Sequence, residues 1–161
     1  MLSEPMTEYG YGKLCLELKN LREIERPNVV NEVDVARLHG DLKENAEYHA
    51  AKEKLAFIES RILDLSKILA NVKIVDPSSY KHDKVSFGSS VKMLNLQTNK
   101  DVKYTIVGSY ESDPTRGYVS FHSPIAKSII GKEVGDEISI SLPSGESDFE
   151  ILSIEYEEII F

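Results

Sequence analysis

A chain of 161 residues with 41% hydrophobic and 29% charged side chains suits one ordinary domain or two small ones, and is too apolar for wholesale disorder. The formal net charge of -8 is spread over both halves, with 11 basic against 14 acidic residues in 1–76 and 8 against 13 in 77–161. That balance disfavours autonomous nucleic-acid binding, which needs a concentrated basic footprint, while leaving room for a local basic patch, and the single cysteine, Cys15, excludes an internal disulfide and a cysteine-based zinc site.

Cys15 fits a small buried hydrophobe in a reducing compartment. The opening MLSEPMTEYG has neither the basic start nor the apolar run of a signal peptide, and no apolar run reaches the ~18 residues of a membrane span. A cytoplasmic protein is expected.

In chain order, Leu14, Leu18 and Leu21 begin an apolar stripe that Val29, Val30, Val33 and Ala36 extend. Pro27 interrupts it, and because a mid-helix proline removes a hydrogen bond and crowds the preceding turn, a kink or short break is expected around Glu25 to Asn28. From Leu55 the residues Ile58, Ile62, Leu65, Leu69 and Val72 repeat at spacings of 3 and 4, the pattern of a helix packed along one partner. The two stripes predict an antiparallel coiled-coil hairpin whose bend is the stretch LHGDLKENAEYHAA, Leu38 to Ala51.

After Asp76-Pro77-Ser78-Ser79 the pattern changes to short β-branched segments. Strands are predicted at Lys84 to Phe87, Ser90 to Leu96, Lys103 to Gly108, Tyr118 to Phe121, Glu137 to Ser141 and Ser147 to Tyr156, with turns at Asn99, Asp113-Pro114, Gly135-Asp136 and Ser144-Gly145. Between two of them, Ser123 to Gly131 reads as one short helix with Ser123 as N-cap, Pro124 at the first position and Gly131 as the stop. The fold class is α+β, with a coiled-coil domain over 1–76 and a small, mainly antiparallel β-sheet domain with a short helix over 77–161. The seam is satisfied within the hairpin, so a monomer is expected; whether the tail from Glu157 to Phe161 is ordered stays open.

The bend admits two readings. Gly40 suits the left-handed turn that ends a helix, Asp41 is a preferred N-cap, and Glu44 three residues on completes a capping-box spacing. Capping does not require the neighbouring His39, Asn45, Glu47, Tyr48 and His49. Two carboxylates on an exposed turn can instead hold a hard divalent cation through oxygen, with the missing ligands supplied by a partner. No serine triad, Walker loop, GxGxxG or HExxH pattern is present to support an independent enzyme.

The segment HGDLKENAEYHAAKE resembles the tip of the bacterial transcription elongation (transcript cleavage) factors of the Gre family, and LKENAEYHAA is closer to the GreA branch than to GreB. The resemblance continues through PMTEYGYGKLCLEL from Pro5, IVD at Ile74, VSFGSSV at Val85, YTIVG at Tyr104, SPIAKSIIGKEVGDE at Ser123 and PSGESDFEILSIEY at Pro143, covering nearly the whole chain. It implies an N-terminal antiparallel coiled coil and a C-terminal FKBP-like domain, a fold like that of FK506-binding proteins. Prolyl isomerase activity does not follow from such a fold, because function belongs to the site.

The resemblance further implies that the coiled coil enters the secondary channel of a backtracked RNA polymerase and stimulates the polymerase's own cleavage of the transcript 3′ end. Asp41 and Glu44 would be the catalytic acids, helping to hold a second Mg2+ shared with the polymerase, with none expected in the free protein. In two-metal phosphodiester hydrolysis one ion activates water and the other stabilises the leaving oxygen. Arg37, Lys52, Asn45 and Tyr48 would border the nascent RNA, Lys52 departing from the arginine expected there and so losing a bidentate fork. Ser123, Pro124, Ile125 and Ala126 would contact the polymerase rim. His39 and His49 read as local hydrogen-bonding residues. The competing functions are a regulator that occupies the channel without stimulating cleavage, and an autonomous isomerase or chaperone for which no characteristic site is visible.

Overall fold

The computed structural model describes residues 3–160. The chain forms two compact units, residues 11–71 and residues 3–10 with 72–160.

The first unit is a helical hairpin. Helix α1 (Glu8–Asn20) runs through Leu21–Glu25 into α2 (Arg26–Arg37), and α3 (Ala46–Asn71) returns alongside. The return is antiparallel, since Glu17 pairs with Arg61, Arg26 with Glu59, Glu32 with Lys54, and Asn45 with Ala36. Leu21, Val29, Ile58 and Leu65 form its buried seam, with Leu14, Leu18, Leu55 and Ile62 packed against them. At ~1.5 Å per residue, α3 is about 39 Å long. Cys15 is half-buried and hydrogen-bonded to Tyr11, which raises the Tyr11 phenol above its ordinary value, so it is not the fully buried hydrophobe expected.

Of the kink or short break expected near Pro27, the break is absent. Residues Leu21–Glu25 instead form a π-helical segment in which the Arg26 N–H reaches the Leu21 carbonyl five residues back. Pro27 follows directly, at the second residue of α2. Widening the preceding turn is how one helix can absorb the misfit without ending.

In the second unit, β1 (Glu4–Met6) pairs in parallel with β2 (Val72–Ile74). A five-stranded sheet contains β3 (Ser89–Asn95), β4 (Asp101–Val107), β5 (Tyr118–Ser120), β6 (Glu137–Leu142) and β7 (Gly145–Tyr156) in the order β5-β4-β3-β7-β6. Three of its pairings are antiparallel, and the outer strand β5 joins β4 in parallel. The sheet is therefore mainly antiparallel, as expected, with one parallel pairing at its edge. Residues 108–117, with a helical turn at Pro114–Arg116, carry the chain back to Thr105, so that β5 runs beside the last three residues of β4.

Helix α4 (Pro124–Ile129) supplies Ala126 and Ile129 to a core completed by Val85, Val91, Met93, Ile106, Ile138, Ile140, Phe149 and Ile151. Lys84 to Phe87, expected as a strand, makes only an isolated bridge from Lys84 to Glu133. Val85 and Phe87 are buried there as plugs in a loop, and the Val85 N–H and C=O are satisfied by the Lys132 carbonyl at 2.9 Å and the Gly131 N–H at 2.8 Å. Apolar content alone thus misassigned the segment. The tail folds back, with Ile159 buried, Glu157 on Lys103, and the Tyr118 hydroxyl donating to the Ile160 carbonyl at 3.1 Å. Among the described residues, no helix is long and apolar enough to cross a membrane.

Glu111 is the buried acid of this unit. It accepts from the Thr7 N–H at 2.9 Å, the Thr7 hydroxyl and the Gly108 N–H at 3.2 Å, and Thr7 in turn accepts the Gly10 N–H at the start of α1. Burial raises its carboxyl above the ordinary glutamate value, against the lowering effect of those donors. A raised folded-state value means the native state holds the proton more tightly, so this contribution to stability is complete below the ordinary glutamate pKa and is lost as pH rises through the elevated value. Unfolding titrations of the unaltered protein and Glu111→Gln should show that decline only in the former; equal pH profiles would contradict it.

Candidate functional site at the hairpin tip

Helix α2 closes with tight i to i−3 bonds, from Leu38 N–H to Val35 O, His39 N–H to Ala36 O and Gly40 N–H to Arg37 O. Gly40 then takes φ +104, a conformation that a Cβ would strain. The next residues do not start a helix. Leu42 to Glu44 form a turn and α3 begins only at Ala46.

This changes the roles expected of the two acids. The cap of α3 is Asn45, whose Oδ1 accepts the Tyr48 N–H at 3.0 Å while its Nδ2 donates to the Ala36 carbonyl at 2.7 Å. One amide therefore caps the returning helix and clasps it to the outgoing one. Asp41 caps nothing helical; its Oδ1 accepts the Lys43 N–H at 3.0 Å, closing a local turn. Glu44 lies outside the helix and makes no hydrogen bond or ion pair among the described residues, so the expected capping box is absent. Both acids are exposed.

Asp41 and Glu44 line one open hollow of about 430 Å³ with His39, Asn45, Ala46 and Glu47. Glu47 leans toward His39, with Oε2 3.7 Å from Nε2, and His49 Nε2 donates to the Lys43 carbonyl at 3.2 Å. No three His, Cys, Asp or Glu side chains among the described residues gather closely enough to hold a metal. Two free-standing carboxylates nonetheless suit a hard cation's preference for oxygen, and supply part of a coordination shell.

Behind the hollow, Tyr48 is buried against Val33, Ala36 and Ala51 in the last layer of the seam. The Arg37 guanidinium carbon lies 5.8 Å and Lys52 Nζ 5.2 Å from its ring centroid, within cation–π range. Hydrogen bonding to Arg37, aided by the Lys52 charge, lowers the Tyr48 phenol below its ordinary value despite desolvation. Arg37, Tyr48 and Lys52 thus form one cationic group around one ring. Asn45 makes one hydrogen bond to backbone through each of its amide atoms.

The other predicted site residues lie on α4. Ser123 Oγ accepts the Ala126 N–H at 3.2 Å as the N-cap, Pro124 is exposed and Ile125 is half-buried. Ala126 is 0% exposed, so its side chain belongs to the core and cannot reach an external partner.

The role of Asn45 was missed because Asp41 and Glu44 satisfy the capping-box spacing first; the usable signal was an Asn directly before the helix-forming run from Ala46. Asn45→Ala should cost about 1–2 kcal/mol of hairpin stability from the lost cap and clasp. Asn45→Ser, which keeps a capping oxygen, should recover part of it in urea unfolding. Equal stability of all three proteins would show the clasp to be inert.

Comparison with known proteins matches both parts of the chain. The family described as transcription elongation factor, N-terminal (GreA/GreB) matches residues 4–74, and transcription elongation factor, GreA/GreB, C-term matches residues 80–156. Transcription elongation factor GreA of Helicobacter pylori is 65% identical over 161 residues, covering 100% of this chain and 98% of the relative. That of Helicobacter hepaticus is 63% identical, covering 100% and 99%. A solved structure of the transcription factor Gfh1 is 27% identical over 96% of this chain and 99% of the other, with a TM-score of 0.46. Two family matches that together span the hairpin and the sheet unit, with relatives identical at nearly two residues in three end to end, establish that the chain belongs to the GreA/GreB family of transcription elongation factors.

Proposed function

We propose that the chain acts on backtracked RNA polymerase through its tip, with residues 1–76 as the coiled coil that enters the secondary channel and 77–161 as the part that docks on the polymerase. As a GreA factor it stimulates transcript cleavage by RNA polymerase and is not itself the nuclease. The observation that carries the tip reading is the release of Asp41 and Glu44 from helix capping: Asn45 takes that task, leaving three carboxylate oxygens without a partner among the described residues at an exposed bend.

A Mg2+ ion shared with the polymerase would supply charge stabilisation and an activated water for phosphodiester hydrolysis. This chain's contribution is to bring Asp41 and Glu44 to that ion as oxygen donors while their backbone is held by the Gly40 turn and the Asn45 clasp. Arg37 and Lys52, spaced by the Tyr48 ring, place two positive charges where RNA phosphates would pass. The Ser123–Ala126 segment, through Pro124 and Ile125, meets the polymerase rim.

Release of short RNA from purified backtracked complexes, followed with and without the protein in Mg2+ buffer, tests the reading. Stimulated release supports it. Tight polymerase binding without release would replace it with a regulator that occupies the channel.

A further inference from the structure

The turn that leads into α4 is tied to a carboxylate more than a hundred residues earlier in the chain. Glu4, on β1, accepts at Oε1 from the Ser109 N–H at 3.1 Å and from the Ser109 hydroxyl, and at Oε2 from His122 Nε2 at 2.9 Å. Its side chain is 23% exposed, less than half the 53% of His122. Ser120 donates its hydroxyl to Ser109 Oγ at 3.1 Å and accepts the His122 N–H at 3.2 Å. The bonds therefore close a ring, from Glu4 through Ser109, Ser120 and His122 back to Glu4. Such a ring holds each member in place through two neighbours and polarises its bonds cooperatively.

Ring and helix are joined directly. The Phe121 N–H donates to the Val107 carbonyl at 2.7 Å, the Ser123 N–H to the Ser120 carbonyl at 2.9 Å, and the Ser123 hydroxyl oxygen caps α4. His122 stands beside that cap, yet its ring points to Glu4 and makes no contribution to the helix. Fold alone does not need this: α4 is anchored by Ala126 and Ile129 in the core. What the ring fixes is the approach to Ser123 and Pro124.

We propose that Glu4 and His122 are a positioning pair for polymerase docking, holding the turn at residues 120–123 so that Ser123, Pro124 and Ile125 are presented in one conformation before polymerase is met. This rests on the docking role given to that segment above. Ordering the turn in the free protein removes an entropic cost from association, so the pair acts on affinity and not on the rate of the bound complex.

The test titrates full-length protein against backtracked polymerase and separates the half-saturating concentration from the cleavage rate at saturation. His122→Ala should raise the half-saturating concentration about tenfold, the scale of one lost hydrogen bond to a charged group, and Glu4→Ala, which loses three bonds, by at least as much, both leaving the saturated rate unchanged. His122→Gln, whose amide still donates to Glu4, should retain most of the affinity. Pro124→Glu, altered at the exposed docking position, serves as the reference. If Pro124→Glu weakens binding and His122→Ala does not, the positioning role is wrong while docking stands. If Pro124→Glu binds normally, docking by this segment is wrong and the inference falls with it. His122→Ala decides alone should Glu4→Ala lose its fold by circular dichroism, because the His122 side chain is exposed.

Discussion

Asp41→Asn and Glu44→Gln are each expected to reduce stimulated transcript cleavage about 100-fold, the upper range for losing a group that supports a metal site. Both are near-isosteric and remove only charge. Asn at position 41 keeps an oxygen for the Lys43 N–H, and Glu44 has no partner to lose among the described residues. Polymerase affinity and hairpin stability should accordingly stay within about twofold and ~0.5 kcal/mol, as for surface substitutions away from structural features. Gel-resolved RNA release at saturating factor, with binding measured in parallel, separates the two effects. Loss of stability would instead mean that the acids act as caps after all.

Leu65→Ala should have the largest effect on the hairpin, lowering its stability by about 2–5 kcal/mol. Leu65 is 0% exposed and packs in the seam against the buried cluster of Leu21, Val29 and Ile58. Two helices have a single seam and no second layer to collapse into the cavity, which favours the upper part of that range. Surface pairs such as Arg26 with Glu59, both half-exposed, offer ~0–1 kcal/mol each and cannot compensate. Phe57→Ala, at a position 74% exposed, should change stability by less than about 0.5 kcal/mol. Urea unfolding followed by helical circular dichroism compares them; a Leu65→Ala cost below that of Phe57→Ala would refute the seam as the source of hairpin stability.

The hairpin was legible because its determinants are local and periodic. Leu55, Ile58, Ile62 and Leu65 announce the face that packs, and the structure buries that face. The response to Pro27 was not legible, since proline marks where a helix is strained and not whether the chain breaks or widens a turn to continue. In the sheet unit, turn residues and β-branched runs located five strands and the short helix. The parallel placement of β5 depends on where residues 108–117 lead the chain, which no periodicity records. Lys84 to Phe87 misled because buried loop residues and strand residues are equally apolar.

At the tip, the sequence placed the right residues together and misassigned two tasks. Asp41 and Glu44 have the spacing of a capping box, but helix α3 starts after them because Asn45 can cap it and reach the Ala36 carbonyl at once. That tertiary bond is invisible to local spacing. Ala126 was similarly grouped with its neighbours in sequence, whereas helical geometry turns its side chain into the core.

The most direct test of the tip as a metal-positioning device is a Mg2+ titration of the cleavage rate at saturating factor, comparing the unaltered protein with Glu44→Gln. The account predicts that the variant needs about 10–100-fold more Mg2+ for half-maximal cleavage, as expected when a metal site loses one of its supports. An unchanged half-maximal Mg2+ concentration, with only the plateau lowered, would contradict it.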